Sequence, residues 1–434
     1  MKNIELRSKI QNKTVQIAVV GLGYIGMPLI QLLLENNFKV VGIDWDREKI
    51  KKLNIRESYL SDFTDGDIKR IFDMGLLVTD SYDIISNCDI VIICVPTPLS
   101  SEKKPDLTLI EQACLSASAY LTKDTLIIVE STIYVGATRN VIKEIFDSGR
   151  LKCGKDYFLA FSPERISPGT ANCSVADINK LVSGVEPHSA ELALLFYNSF
   201  LRAPVYLCSS CEVAEMSKLL ENTFRYINIA FINEIAMLCK KMNINVFEVI
   251  EAAKSKPMGF FPFYPNIGVG GHCIMVDSFY LKWIAQQNGV ALKMVDSSES
   301  IIKLFFEQFI EFILTYLEEN DIAIEESQIL IIGLAYKEFV NDTRESPSIK
   351  LMKRLIEYGC RVDYYDELIP NYKSSSYSLN SIKEMKKHSL EYYDVVILMN
   401  KQNNLNYQDL VDDSKLIIDV KNIIQQQSRN LIKI

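Results

Sequence analysis

The sequence predicts an α/β chain of two doubly wound domains, each a parallel sheet covered on both faces, joined by a long central helix. Three observations carry this. Continuous apolar runs alternate with amphipathic segments over residues 1–205. The same rhythm resumes after Asn320. Between them "EVAEMSKLLENTFRYINIAFINEIAMLCKKM" is apolar at helical spacing and free of Gly and Pro. Strands apolar at every position are buried on both faces, as in parallel sheets with helices on either side.

The elements follow in order. "VQIAVV" is the first strand, then a glycine turn and a helix to about Asn36, then "FKVVGID", "DIVIICVP", "TLIIVES" and "YFLAFSPE". Val15 to Leu34 imitates a membrane anchor, twenty residues without a charge, but Gly21, Gly23, Gly26 and Pro28 interrupt it. Strand, turn and buried helix account for it better. The central segment is expected as one helix from Glu212 to about Ala253, longer than one domain needs, and therefore a connector and a face for a second subunit. "QILIIGLAYK", a helix from about Ser346, "RVDYYD", "YDVVILMN" and "KLIIDVKN" build the second sheet. Domains are expected at 1–205, 206–320 and 321–434.

Composition narrows the function. With 47 basic and 55 acidic residues the 434-residue chain carries a net charge of −8, so no basic surface advertises nucleic acid or an acidic membrane. Ten cysteines, mostly inside apolar runs, read as reduced cytosolic thiols used as small hydrophobes. The pair Cys208 and Cys211 has no partner pair at zinc spacing, and His188, His272 and His388 stand in unrelated contexts; no metal is expected.

"VVGLGYIG" places Gly21, Gly23 and Gly26, with Tyr24 and Ile25 between them, directly after a strand and at the opening of a helix. The first glycine turns the chain, the second lets backbone approach a pyrophosphate, and the third lets the helix pack closely. Asp44 ends "KVVGID", where a carboxylate takes both hydroxyls of an adenosine ribose and repels the 2′-phosphate of NADP. NAD is the expected cofactor, and Arg47 is expected to stack on adenine or meet a phosphate. "CVPTP", with Pro96 and Thr97, and "ESTIYVG", with Ser131 and Thr132, follow strands and stand where ligands bind in open sheets; helix capping is the competing use of their hydroxyls.

"GVGGHCIMVD" raises Cys273 behind Gly268, Gly270 and Gly271, with Asp277 four residues on. A thiol in such a turn attacks a carbonyl, or is an inert buried cysteine; spacing leaves both open. Lys218 and Asn222 stand at i and i+4 in the apolar central helix, suited to a developing oxyanion, or as a solvated polar face. "FSPERISPG" brings Glu164, able to move protons, and Arg165, which serves the site or a surface ion pair.

With these motifs in order, the chain resembles the UDP-glucose/GDP-mannose dehydrogenase family nearly end to end, through "SPER", "ENTFRYINIAFINE", "GVGGHC", "GLAYK", "DTRESP" and "IIDVKN". In "FSPERISPG", "KPMGFFPFYPN" and "GVGGHCI" it is most similar to the bacterial UDP-N-acetylglucosamine 6-dehydrogenase branch. The resemblance implies a twofold NAD-dependent oxidation of a sugar C6 alcohol, with Cys273 capturing the aldehyde as a thiohemiacetal that is oxidised to a thioester and hydrolysed. It implies that Lys218 and Asn222 stabilise the oxyanion, that Asp277 activates water, and that Glu164 accepts a proton with Thr132 assisting. It implies sugar-nucleotide contacts from Glu164, Arg165, Ile166, Ser167, Lys218, Asn222, Tyr264, Gly268, Gly270, Tyr336, Lys337 and Lys421. It further implies that Arg344 reaches NAD, and that the chain forms a cytoplasmic homodimer or higher oligomer through the central helix. Val135, Met275, Ser278 and Glu338 replace prolines usual in the family, which loosens loops, and Lys421 replaces a common arginine, giving up the planar fork. Other UDP-sugars, or a two-electron hydroxyacid-type dehydrogenase needing no cysteine, are the alternatives.

Overall fold

The computed structural model describes the chain apart from residues 1–3, 61–62, 166–173, 375–376, 384 and 386–388, and apart from the side chains of His272 and Cys273. Its first sheet takes eight strands: β1 (Gln16–Val20), β2 (Lys39–Ile43), β3 (Leu77–Thr79), β4 (Ile90–Ile93), β5 (Leu126–Val129), β6 (Phe158–Phe161), β7 (Lys180–Gly184) and β8 (Val205–Leu207), in the order β3-β2-β1-β4-β5-β6-β7-β8. Every residue of β4, β5 and β6 is buried, as their uninterrupted apolar sequences require. Along β1, Ile17 and Val19 enter one core while Ala18 and Val20 enter the other, so the sheet is covered on both faces.

β1 to β6 run parallel, but β7 pairs antiparallel with β6, and β8 runs parallel to β7. The sequence rhythm had implied parallel strands alone. A parallel return needs a long crossover, usually a helix. Among the described residues the β6–β7 connection holds only the short turn Val175–Asp177, so the chain doubles back.

The second sheet uses β9 (Gln328–Ile332), β10 (Arg361–Tyr365), β13 (Val395–Leu398), β14 (Ile417–Asp419) and β15 (Leu431–Lys433), all parallel, in the order β10-β9-β13-β14-β15; β11 (Asn371–Lys373) and β12 (Ser378–Asn380) form a separate antiparallel pair.

The central helix runs Cys211–Lys241 and then stops, so the single helix expected to about Ala253 is two. Asn243 adopts φ 56°, and the side chain of Asn245 accepts from the amides of Phe247 and Glu248 to cap a new helix, Val246–Lys254. Two compact units result, Met1–Glu221 with Val276–Ala291, and Asn222–Met275 with Leu292–Ile434; the long helix passes from one to the other. No described helix is long and apolar enough to cross a membrane, and Val15–Leu34 divides into β1, a turn and the helix Gly26–Glu35.

Candidate active site

In the first unit the strand order reverses between β1 and β4, the place where a parallel sheet opens a crevice beyond its carboxyl ends. Gly21 turns there at φ 99°, and a Cβ on it would stand 2.7 Å from the Cys94 carbonyl oxygen. A Cβ on Gly26 would stand 1.9 Å from the Gly21 oxygen, whereas the same position on Gly23 meets nothing within 4 Å. Two glycines are therefore demanded by packing, and the middle one borders open space suited to a pyrophosphate. The helix Gly26–Glu35 begins without a side-chain cap, which leaves its first turn to an anion. Tyr24 and Ile25 pack partly buried on the core behind it.

Asp44 is buried at the end of β2. Its Oδ2 accepts from Leu22 N at 2.9 Å and Lys49 Nζ at 3.2 Å, and its Oδ1 from Asp46 N at 3.0 Å. The carboxylate is thus anchored by two amides and a lysine at the edge of the turn. Arg47 pairs with Asp80 at 2.8 Å and keeps an 81% exposed side chain. Trp45, which sequence reasoning passed over, is 70% exposed beside Asp44.

The loops after β4, β5 and β6 are tied together. Thr97 Oγ1 donates to the Thr132 carbonyl at 2.5 Å, and Ser131 Oγ to the Val95 carbonyl at 2.7 Å, so these hydroxyls lace two strand ends and cap no helix. Pro96 is exposed between them and Thr132 is partly buried. Tyr280 donates to the Thr97 carbonyl at 2.9 Å from the helix His272–Gln287, in which Asp277, one turn earlier, is also buried. Cys273 is the second residue of that helix; the glycine turn ends before it, and its side chain lies outside the described residues.

The central helix staples the same loops over three successive turns. Glu215 accepts from Gly136 N at 2.6 Å, Thr138 N at 2.9 Å and Thr138 Oγ1 at 2.6 Å. Lys218, only 7% exposed, donates to the Glu164 carbonyl at 2.5 Å. Glu221 grips Arg165 through Nε at 3.0 Å and Nη2 at 2.6 Å. Arg165 thus stands in an ion pair with the central helix. Burial pushes the Glu215 carboxyl above the usual range against its three hydrogen bonds. Ile166 and Ser167 lie outside the described residues.

Glu164 is buried and joins a cluster that the motifs did not reveal. Lys180 Nζ stands 2.9 Å from Glu164 Oε2 and 3.1 Å from Glu130 Oε2, and Tyr197 donates to Glu130 Oε1. Only a lysine heading the apolar "KLVSG" and a glutamate ending "TLIIVE" hinted at it.

In the second unit Asn222 is buried on the long helix. The loop from Gly268 to Gly271 lies against Tyr336 and Pro347. A Cβ on Gly268 would meet Pro347 at 3.2 Å, one on Gly270 would meet Pro347 and Tyr336 at 2.8 Å, and one on Gly271, at φ 79°, would meet the Tyr336 ring at 2.8 Å. The space these glycines leave is filled by the protein's own "GLAYK" and "RESP" segments. Gly271 N donates to the Arg344 carbonyl at 3.2 Å, while the Arg344 guanidinium grips Asp342, Nη2 to Oδ2 at 2.6 Å. Lys421 contacts Asn400 Oδ1 at 2.5 Å, and burial draws its pKa below the usual lysine range, with Lys337 adding to the depression and Glu338 opposing it. Tyr264 is exposed, stacks on Phe247 and donates to Glu251 at 2.5 Å.

Three family models cover the chain in sequence: the NAD binding domain of the UDP-glucose/GDP-mannose dehydrogenase family at residues 15–201, its central domain at 212–301 and its UDP binding domain at 330–426. The chain belongs to this family. It is a nucleotide-sugar dehydrogenase, an oxidoreductase acting on a CH–OH group with NAD as cofactor, and the turn at Gly21–Gly26 with Asp44 fits that cofactor. It is 33% identical over 419 residues to Protein CapL of Staphylococcus aureus, covering 96% of this chain and 97% of that protein. It is also 33% identical over 355 residues to the UDP-N-acetyl-D-glucosamine 6-dehydrogenase of Pseudomonas aeruginosa, covering 82% and 83% of the two. Among solved structures, the UDP-D-ManNAc dehydrogenase of Pyrococcus horikoshii superposes with a TM-score of 0.84 at 30% identity, covering 96% of this dehydrogenase and 98% of that chain.

Proposed function

We propose that this dehydrogenase oxidises the C6 alcohol of a UDP-N-acetylhexosamine twice, to the uronate, in the cytoplasm and as a precursor for a surface polysaccharide. UDP-N-acetylglucosamine is the favoured substrate from "FSPERISPG" and "GVGGHCI". The mannosamine epimer is the second reading, favoured by the likeness to the Pyrococcus horikoshii structure. The observation that carries the reading is the Lys218 ammonium, buried on an otherwise packing helix and aimed at the Glu164 loop. A lysine placed there for solubility would reach water.

Gly21, Gly23, Tyr24, Ile25, Gly26, Asp44, Arg47, Pro96, Thr97, Ser131, Thr132 and Arg344 would hold NAD, which would supply the hydride acceptor for each oxidation. After the first oxidation the Cys273 thiolate bonds to the aldehyde carbon, and Lys218 and Asn222 steady the oxygen as it gains charge. The second oxidation leaves a thioester. Glu164, with Thr132 assisting, accepts the hydroxyl proton released in the oxidations, and water activated by Asp277 breaks the C–S bond to release the carboxylate and restore the thiol. Two NAD are reduced and one water is consumed for each sugar. Arg165, Ile166, Ser167, Tyr264, Gly268, Gly270, Tyr336, Lys337 and Lys421 shape the sugar-nucleotide site.

In this reading residues 1–205 bind NAD, 206–320 connect and pair subunits, and 321–434 grip the UDP half. Pairing is supported by Phe224, Phe231 and Leu238, exposed at 48%, 55% and 54% and spaced seven apart on the central helix. The test is NADH formation with UDP-N-acetylglucosamine, its manno and galacto epimers and UDP-glucose in parallel. Two NADH per sugar, and loss of complete oxidation in C273S, are expected. One NADH per sugar with C273S at full turnover would establish the two-electron alternative.

A further inference from the structure

We propose that Lys180 and Glu130 are positioning residues that set the charge on Glu164, so that the proton acceptor of the oxidation stands ionised when substrate arrives. This rests on Glu164 having that role.

Three neighbouring strands build the cluster. Glu130 directly follows β5, Glu164 lies just beyond β6, and Lys180 opens β7. The antiparallel register pairs Ala160 with Gly184 and Phe161 with Ser183, so Lys180, three residues earlier in β7, falls opposite Glu164. A parallel β7 would have carried its first residue to the far edge of the sheet. The reversal of this strand thus delivers a lysine to the carboxyl ends where ligands bind.

Glu164 is held along its whole length. Its amide donates to the Glu130 carbonyl at 3.4 Å, its carbonyl accepts from Lys218, Oε1 accepts from Arg165 N at 2.7 Å, and Oε2 faces Lys180. Around the ammonium stand Glu130, Glu164 and the Tyr197 ring at 5.2 Å, with the buried Cys94 thiol close by. Glu130 is 0% exposed and Lys180 4%. Two carboxylates share one cation, so the cluster carries either an excess negative charge or one proton. Burial, with Glu164 adding, pushes Glu130 above the usual carboxylate range, and the two carboxylates together hold Lys180 charged.

Buried ion pairs are poor stabilisers, and apolar side chains of similar volume fill such space as well. A charged trio kept at the site makes sense when one member must be an anion. Without the ammonium, two facing carboxylates would share a proton and Glu164 would stand protonated over a wider pH range. Without Glu130, the ammonium would serve Glu164 alone.

The experiment measures kcat against pH for the parent, K180M, K180R, E130Q and the K180M/E130Q double variant, with saturating NAD and whichever UDP-sugar the parent oxidises. K180M is expected to move the acid limb up by about one pH unit or more and E130Q to move it down. K180R should stay near the parent, and the double variant should return from K180M toward it. KM for NAD should hold throughout. A role in packing alone has no reason to move the limb in opposite directions for the two single variants. Superimposed limbs for K180M and E130Q, or a double variant displaced further than K180M, would overturn the proposal. E130Q retains the volume and the Tyr197 contact, and decides by itself if K180M is insoluble. A parent that makes no NADH from any UDP-sugar would instead sink the functional reading beneath it.

Discussion

Replacing Glu215 with glutamine should loosen the loop that carries Ser131 and Thr132. In the parent, Oε1 takes two donors from Thr138 and Oε2 takes the Gly136 amide. An amide side chain keeps one oxygen, so it retains the Thr138 pair and turns its NH2 toward the Gly136 N–H. The Gly136 N–H and the NH2 that faces it are then both unmatched, at about 1–3 kcal/mol for each group that stays buried. For a unit of this size that lowers the melting midpoint by roughly 2–4 °C per kcal/mol. Alanine strands all three donors and costs about 3 kcal/mol or more. The sign of the pH dependence is a second check. Burial raises the folded-state pKa of Glu215, so the folded state holds this proton after the unfolded chain has released it, and the contribution of this group to parent stability declines as pH rises from the usual carboxylate range through the raised value. Glutamine does not titrate, so E215Q lacks that part of the decline. Thermal unfolding monitored by circular dichroism between pH 4 and pH 8 measures both effects. Equal midpoints and parallel pH profiles for parent and E215Q would refute the argument that this carboxylate holds the loop.

D44A removes the anchored carboxylate. With two charge-assisted ribose hydrogen bonds lost, about 3 kcal/mol, KM for NAD should rise ~100-fold and discrimination against NADP should fade; steady-state kinetics with both cofactors tests this. G271A places a methyl 2.8 Å from the Tyr336 ring at a positive φ. It should cost about 1–2 kcal/mol and raise KM for the UDP-sugar while KM for NAD stays put, a split visible in initial-rate assays. F231D/L238D puts charge on two of the exposed seven-spaced positions, and sedimentation should show subunits of half the parent's mass; an unchanged mass would remove the helix as the pairing face.

What was legible in the sequence was local. The glycine turn, Asp44 and the apolar strands declare themselves because each depends on neighbours within about twenty residues, through backbone geometry and periodic burial. The break at Asn243 was hidden because apolar spacing continues through it, and only the side chain of Asn245, capping a new helix, marks the new start. The direction of β7 and the Glu130–Lys180–Glu164 cluster were hidden for another reason. They join residues from three strands, and a buried ion pair has no periodic signature. An ion pair for Arg165 was legible as one of its two uses, but not the partner, since Glu221 lies 56 positions away.

The two sheets solve one problem twice, and the difference between the solutions explains why the chain has one dinucleotide turn. Gly333 follows β9 as Gly21 follows β1; each takes a positive φ, 91° and 99°, and each amide donates at 2.8 Å to the end of the neighbouring strand, Tyr365 or Ile43. Asp366 stands where Asp44 does, accepting from Leu334 N at 2.7 Å as Asp44 accepts from Leu22 N. In this register Ala335 replaces Gly23 and Glu338 replaces Gly26. Since a Cβ on Gly26 would stand 1.9 Å from the turn's own carbonyl, a glutamate there is incompatible with a helix starting at once, and the next helix, Pro347–Tyr358, begins nine residues after Glu338. The second turn has therefore lost the adjoining helix N-terminus that favours a pyrophosphate. Asp366 is also more fully engaged than Asp44: Oδ2 accepts from Ala335 N as well as Leu334 N, and Oδ1 from Leu368 N and Ile369 N, four amides where Asp44 holds two amides and a lysine, which makes it a brace for the turn. The second unit instead brings side chains to the carboxyl ends of these strands: Lys421 follows β14 and contacts Asn400, which follows β13, and Lys337, beyond β9, is close enough to depress the Lys421 pKa.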